Sequence, residues 1–149
     1  MHQRHLVIQE HNAEKAGLHW DLRIESRGEL ETYDAKRPWT NEPRGEGEDK
    51  VLMSFAIPKA RLPKKGEFLL AVQTEDHPWK YKDFEGRIEE GYGKGDMKLL
   101  VSSKCDFMSF KEDSISFKVM GSIYLMFKPK NNKKWSSKHW LVKQLIKRK

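Results

Sequence analysis

The sequence predicts an all-β, mainly antiparallel fold of about eight strands. Two observations carry this. Apolar and polar residues alternate with period two through most of the chain, and no long apolar stripe runs at helical spacing. Short strands without regular intervening helices exclude a parallel α/β sheet and leave an antiparallel barrel or a sandwich. At 149 residues the chain amounts to about one domain, and it contains no internal repeat, so 1–149 reads as a single unit.

The clearest strand is 18–26, Leu-His-Trp-Asp-Leu-Arg-Ile-Glu-Ser. Trp20, Leu22 and Ile24 fall on one face, and His19, Asp21, Arg23 and Glu25 on the other. The same alternation marks strands at 5–10, 51–57, 67–74, 97–102, 114–119 and 122–127. Met120-Gly121 reads as the turn of a hairpin between the last two of these. Residues 139–146 suit a closing strand through Trp140, Val142 and Ile146. Two segments break the pattern. Residues 34–50 are charged, rich in Pro and Gly, and long enough to be mobile, either as a substrate clamp or as a tolerated insertion. Residues 83–96 carry four glycines; the run from Gly91 to Gly95 lacks the Ser/Thr and helix context of a phosphate-binding loop and reads as a tight turn.

Composition narrows the class. Five Trp, four Tyr and seven Phe argue against disorder despite a charged fraction of 34%. No apolar run reaches the length of a membrane span, and the N-terminus has no signal-peptide core. A single cysteine, Cys105, rules out an intramolecular disulfide and a cysteine-built zinc site, which fits a cytoplasmic protein. Nine of the 29 Lys and Arg lie in 128–149, a stretch without acidic residues, so the rest of the chain carries 20 basic against 22 acidic groups. With Trp135, His139 and Trp140 interleaved, this segment suits a phosphate backbone and stacked bases; a solvated lysine-rich tail is the plain alternative.

The histidines raise the question of a metal. His19 and Asp21, two apart on a strand, project side by side and can reach one cation. His11 ends the preceding strand, and a hairpin through 12–17 brings it back beside His19. Two imidazoles and a carboxylate form a mixed N/O set suited to Mn, Fe(II) or Zn. Arg23, next along the face, suggests an anionic ligand such as phosphate. Farther on, Glu75-Asp76-His77-Pro78 follows a strand, with Tyr81 four residues after His77. Alternation of this kind also occurs on any solvated sheet face.

The chain resembles the 3′-phosphoesterase module of bacterial DNA ligase D, which also occurs as a stand-alone protein. The matching residues are Leu6-Val7-Ile8-Gln9-Glu10-His11, Leu18-His19-Trp20-Asp21-Leu22-Arg23-Ile24-Glu25, Phe55-Ala56-Ile57-Pro58-Lys59 and Glu75-Asp76-His77-Pro78-Trp79-Lys80-Tyr81. Asp83-Phe84-Glu85-Gly86, Gly91-Tyr92-Gly93-Lys94-Gly95 and His139-Trp140-Leu141-Val142 follow in the same order. The resemblance implies an eight-stranded closed barrel with its active site on the outer surface. It also implies manganese held by His11, His19 and Asp21, a phosphate-facing group of Arg23, His77 and Tyr81, and supporting places for Lys59 and Glu75.

The implied reaction removes a terminal ribonucleoside or a 3′-phosphate from a DNA or DNA/RNA 3′ end and leaves a 3′-OH. A separate ligase and polymerase of end-joining repair are the implied partners, with no membrane involved. Three features depart from the family pattern. His11 and His19 stand eight apart rather than six, Leu69 takes the place of an arginine, and 34–50 separates strands that the family joins more tightly. Two rival readings use less of the sequence. A non-haem iron oxygenase built on His19, Asp21 and His77 leaves His11 and the basic segment unused. A non-catalytic nucleic-acid-binding barrel leaves His77 and Tyr81 without a purpose.

Overall fold

The alternating segments form nine strands in a computed structural model that describes residues 2–27, 50–129 and 138–145. These are β1 (His2–Ala13), β2 (Gly17–Ser26), β3 (Val51–Ile57), β4 (Phe68–Pro78), β5 (Gly86–Ile88), β6 (Gly95–Lys111), β7 (Ser114–Val119), β8 (Ser122–Phe127) and β9 (His139–Leu145). One 3₁₀ helix, Trp79–Asp83, follows β4. Every pairing is antiparallel, and the order β1-β2-β3-β4-β9-β8-β7-β6 closes through β1 against β6. The choice between barrel and sandwich therefore falls to an eight-stranded closed barrel. β5 pairs with the first residues of β6. Among the described residues, no helix is long and apolar enough to cross a membrane.

Strands β3, β7 and β8 begin and end where the alternation places them, whereas β1, β4 and β6 run longer. The segment 83–96, expected only to interrupt the pattern, contains β5 and the start of β6. Gly95 explains the difference. Its φ is +151°, and a Cβ there would stand 2.1 Å from the Asn12 carbonyl oxygen, so only glycine lets β6 approach β1 this closely. The expected loop at 34–50 and the expected basic segment at 128–149 lie outside the described residues, apart from 50, 128–129 and 138–145.

One face of each strand fills the barrel. Leu22, Ile24, Phe55, Ile57, Phe117 and Trp140 are completely buried there. Trp140 on the closing strand meets Phe55 edge-on, with ring centroids 5.4 Å apart, and donates its indole N–H to Gln73 Oε1 at 3.2 Å. Leu69 belongs to this core and is 4% exposed, so its side chain fills the interior rather than facing the outer surface. The opposite faces of β1 to β4, carrying the polar residues, turn outward.

The β7–β8 hairpin closes through Met120 and Gly121, both with positive φ (+53° and +81°). Glycine adopts this conformation freely, but methionine at left-handed φ is strained, and its side chain is 64% exposed. Met120→Asn is expected to stabilise the fold by roughly 0.5–1 kcal/mol, read as a higher midpoint in urea unfolding with an unchanged slope.

Candidate metal and phosphate site

The β1–β2 hairpin builds the centre of the site. Its loop is residues 14–16, and Gly17 (φ +81°) supplies the left-handed turn that re-enters β2. In the resulting register His11 faces His19 and Gln9 faces Asp21 across the strand pair. The eight-residue spacing is taken up in the strand ends and loop, and the two imidazole centroids lie 4.7 Å apart.

His11, His19 and Asp21 each direct one ligand atom to a common region, with all such atoms within 4.8 Å of one another. The remaining ring nitrogens are engaged by backbone carbonyls. His11 Nε2 lies 2.7 Å from the Gly93 oxygen, and His19 Nδ1 lies 3.1 Å from the Gly17 oxygen. That leaves His11 Nδ1 3.0 Å from Asp21 Oδ2 and His19 Nε2 3.1 Å from Asp21 Oδ1. Carbonyls on the outer nitrogens are the usual partners of metal-ligating imidazoles, and they leave the inner nitrogens and the carboxylate directed at one place. The donor set fits a borderline transition metal.

The outer face is not solvated here. Asp21 is 7% and Arg23 3% exposed, and Tyr81 of the 3₁₀ helix and Gly91 to Gly93 line the same cleft. Arg23 spends its fork on three neighbours: Nε donates to Gln9 Oε1 at 2.7 Å, Nη1 to Ser54 Oγ at 2.9 Å, and Nη2 to Asp21 Oδ2 at 3.4 Å. Gln9 in turn donates Nε2 to the carbonyls of Tyr81 and Phe84, at 2.9 and 3.1 Å, tying the 3₁₀ helix to the barrel. Among the described residues, two further N–H groups of Arg23 have no protein acceptor.

Burial pushes the Asp21 carboxyl up, but the Arg23 charge and the two imidazole hydrogen bonds outweigh it and hold the group well below the usual carboxylate range. The Asp21 hydrogen bond raises His19 above the ordinary imidazole value, against its own burial. His77 behaves oppositely: burial, reinforced by the Arg23 charge, drives its pKa down to about 3. It is therefore a neutral ring at neutral pH. Its Nδ1–H donates to the Glu75 carbonyl at 2.9 Å, which leaves Nε2 as the unprotonated nitrogen. Tyr81 stands edge-on to His77 with centroids 5.7 Å apart.

An open cleft of about 900 Å³ has His11, His19, Asp21, Arg23, His77 and Tyr81 in its walls, with Glu75 beside them. Lys59 is exposed in the turn after β3 and is not among the residues lining this cleft. Three contributors escape a reading of the sequence. Ser54 is the single polar residue of its apolar strand, Gln9 stands among the polar residues that end β1, and Gly93 acts through its carbonyl. Gln9 belongs to the matching run from Leu6 to His11 and shares a strand face with His11, but nothing in the sequence marks its contact with Arg23.

Residues 47–140 match the family model described as the DNA Ligase D 3′-phosphoesterase domain. The chain belongs to this family. It is 39% identical over 106 residues to the multifunctional non-homologous end joining protein LigD of Mycolicibacterium smegmatis, covering 70% of this chain and 11% of that protein. Against the multifunctional non-homologous end joining DNA repair protein LigD of Mycobacterium tuberculosis H37Rv, identity is 32% over 119 residues, 79% of this chain and 12% of the relative. The corresponding protein of Pseudomonas aeruginosa is 36% identical over 91 residues, 60% of this chain and 8% of the relative. The chain thus spans about a tenth of the length of these relatives. The segment matching the family model holds Glu75, His77, Tyr81 and Gly93 but begins after the β1–β2 hairpin. For the other half of the site, the cross-strand geometry of that hairpin is the independent observation.

A Cβ at Gly93 would stand 3.3 Å from His11 Cε1, tighter than ordinary contact, on the residue whose carbonyl orients that ring. Gly93→Ala is expected to turn His11 and weaken Mn²⁺ binding about ten-fold by calorimetric titration, with the circular dichroism of the barrel unchanged. An unaltered affinity would show that the turn does not position His11.

Proposed function

We propose that this chain is a metal-dependent DNA 3′-end-healing phosphoesterase that removes 3′-terminal ribonucleosides and 3′-phosphates and leaves a 3′-OH. Family membership supports a phosphoesterase acting in DNA end processing. The observation that carries the finer reading is the convergence of His11, His19 and Asp21 beside a buried guanidinium in one open cleft.

His11 Nδ1, His19 Nε2 and the Asp21 carboxylate are the ligands in this reading, and Mn²⁺ is the proposed ion. When bound, the ion supplies neutralisation of the nonbridging phosphoryl oxygens and Lewis-acid activation at the phosphorus. The chain's own residues do the rest. Arg23, fixed by Gln9, Ser54 and Asp21, offers its remaining N–H groups to the phosphate oxygens, where negative charge builds in the transition state. His77 meets the substrate as a neutral ring with Nε2 free to accept; a phosphate dianion alongside raises its pKa and lets it hold a proton for the leaving oxygen. Tyr81, packed on His77, is placed to donate from its hydroxyl to the same group. Glu75 supports the site through its backbone carbonyl, which fixes the His77 tautomer.

The product 3′-OH is the group that a polymerase extends or a ligase seals, which makes those two activities the proposed partners. The test uses a 5′-labelled DNA primer ending in one ribonucleotide or in a 3′-phosphate. Conversion to a 3′-OH is expected with Mn²⁺, is abolished by EDTA, and falls at least about 100-fold in Arg23→Ala and in His19→Ala. Salt-sensitive primer binding without any conversion would instead establish the non-catalytic nucleic-acid-binding barrel.

A further inference from the structure

The polar wall of the cleft accounts for a phosphate and leaves the attached nucleoside without a partner. Polar Gln73, Thr74, Glu90 and Lys138 also line the cleft, but an apolar group of Ala16, Leu18, Ile88 and Tyr92 belongs to it as well, next in sequence to His19 and to the turn that engages His11. Leu18 is 51% and Tyr92 71% exposed, the latter the highest value among the exposed large hydrophobic side chains of the described residues.

The backbone around Tyr92 is tied down by hydrogen bonds. It lies in the turn from Gly91 to Lys94, closed by the Lys94 N–H to the Gly91 carbonyl at 3.2 Å. The Glu14 N–H donates to the Lys94 carbonyl at 2.8 Å, and the Lys94 ammonium lies 3.7 Å from Glu14 Oε2. Gly93, the next residue, is the one whose carbonyl engages His11 at 2.7 Å. One short turn therefore orients a metal-ligating histidine and presents an exposed ring at the same cleft. A ring whose backbone is already fixed loses little freedom when a flat partner settles on it.

We propose that Tyr92 is the stacking platform for the nucleobase of the nucleotide that carries the scissile phosphate, with Leu18 as a second apolar contact. The proposal rests on the phosphoesterase reading and adds its substrate class: a phosphate attached to a nucleoside that bears a base, of any sequence, since every base has a π-face. A base seated there sets the distance between the sugar and the phosphate-binding residues, so terminal nucleotides without a base are held poorly.

The test is an equilibrium titration in EDTA, where no cleavage occurs, using a primer with 2-aminopurine as its 3′-terminal base and a 3′-phosphate. Wild type and Tyr92→Trp are expected to quench the fluorophore. Tyr92→Ala is expected to lose the quenching and to bind about ten-fold more weakly. A primer ending in an abasic 3′-phosphate is expected to bind wild type and Tyr92→Ala equally. Quenching by Tyr92→Ala, an absence of quenching in the wild type, or an equal penalty on the abasic primer would each overturn the proposal. Cleavage with Mn²⁺ is read separately: an inactive wild type overturns the phosphoesterase reading, while the fluorescence decides the stacking.

Discussion

The structure of the site depends on one buried carboxylate. Asp21 sits on the outward face of β2 yet is almost fully covered, and it is the common partner of Arg23, His11 and His19. A carboxylate removed from water is costly unless it is paired and hydrogen-bonded, and here both conditions are met by the other groups of the candidate site. The same contacts that hold Asp21 ionised fix the Arg23 fork and turn the two imidazoles inward. Stability and function are thereby coupled: removing either member of the Asp21–Arg23 pair leaves an uncompensated buried charge, a loss of roughly 3–5 kcal/mol.

That coupling extends outward through Gln9. Its carbonyl oxygen accepts from Arg23 and its amide donates to two carbonyls of the 3₁₀ segment, so the segment carrying Tyr81 is fastened to the guanidinium it shelters. On the other flank, the Gly93 carbonyl fastens the 91–94 turn to His11. The two segments, each attached through a site residue, flank the polar sheet face and line one open cleft with it. Where Asp21 and Arg23 are buried in its wall, the low local dielectric strengthens their pairing.

How much of this was legible in the sequence follows from how local each feature is. The placing of His11 beside His19 needs only a hairpin and a period of two, and both are readable from residues 5–26. The closed barrel over a sandwich, and the joining of His77 and Tyr81 to the trio of His11, His19 and Asp21, come through family resemblance, because the spacing from Asp21 to His77 contains no geometric information. Alternation places Asp21 and Arg23 on a polar face but cannot show them buried, since a period of two carries no information on what packs against that face. Gly95 was read as an interruption because glycine breaks alternation, yet it lies in β6, where the close approach of β1 admits nothing larger. Leu69 shows the reverse limit. It stands where the family pattern has an arginine, and its side chain lies in the core, a placement that the spacing back from His77 does not show because the strand has a register shift between the two.

The most direct test of this account is the position of a bound ion. An anomalous difference map from crystals grown with Mn²⁺ is expected to show a peak at about 2.0–2.3 Å from His11 Nδ1, His19 Nε2 and an Asp21 oxygen, with the His11 Nε2 contact to Gly93 preserved. A peak elsewhere in the cleft, or ligation through His11 Nε2 with the Gly93 contact broken, would contradict it.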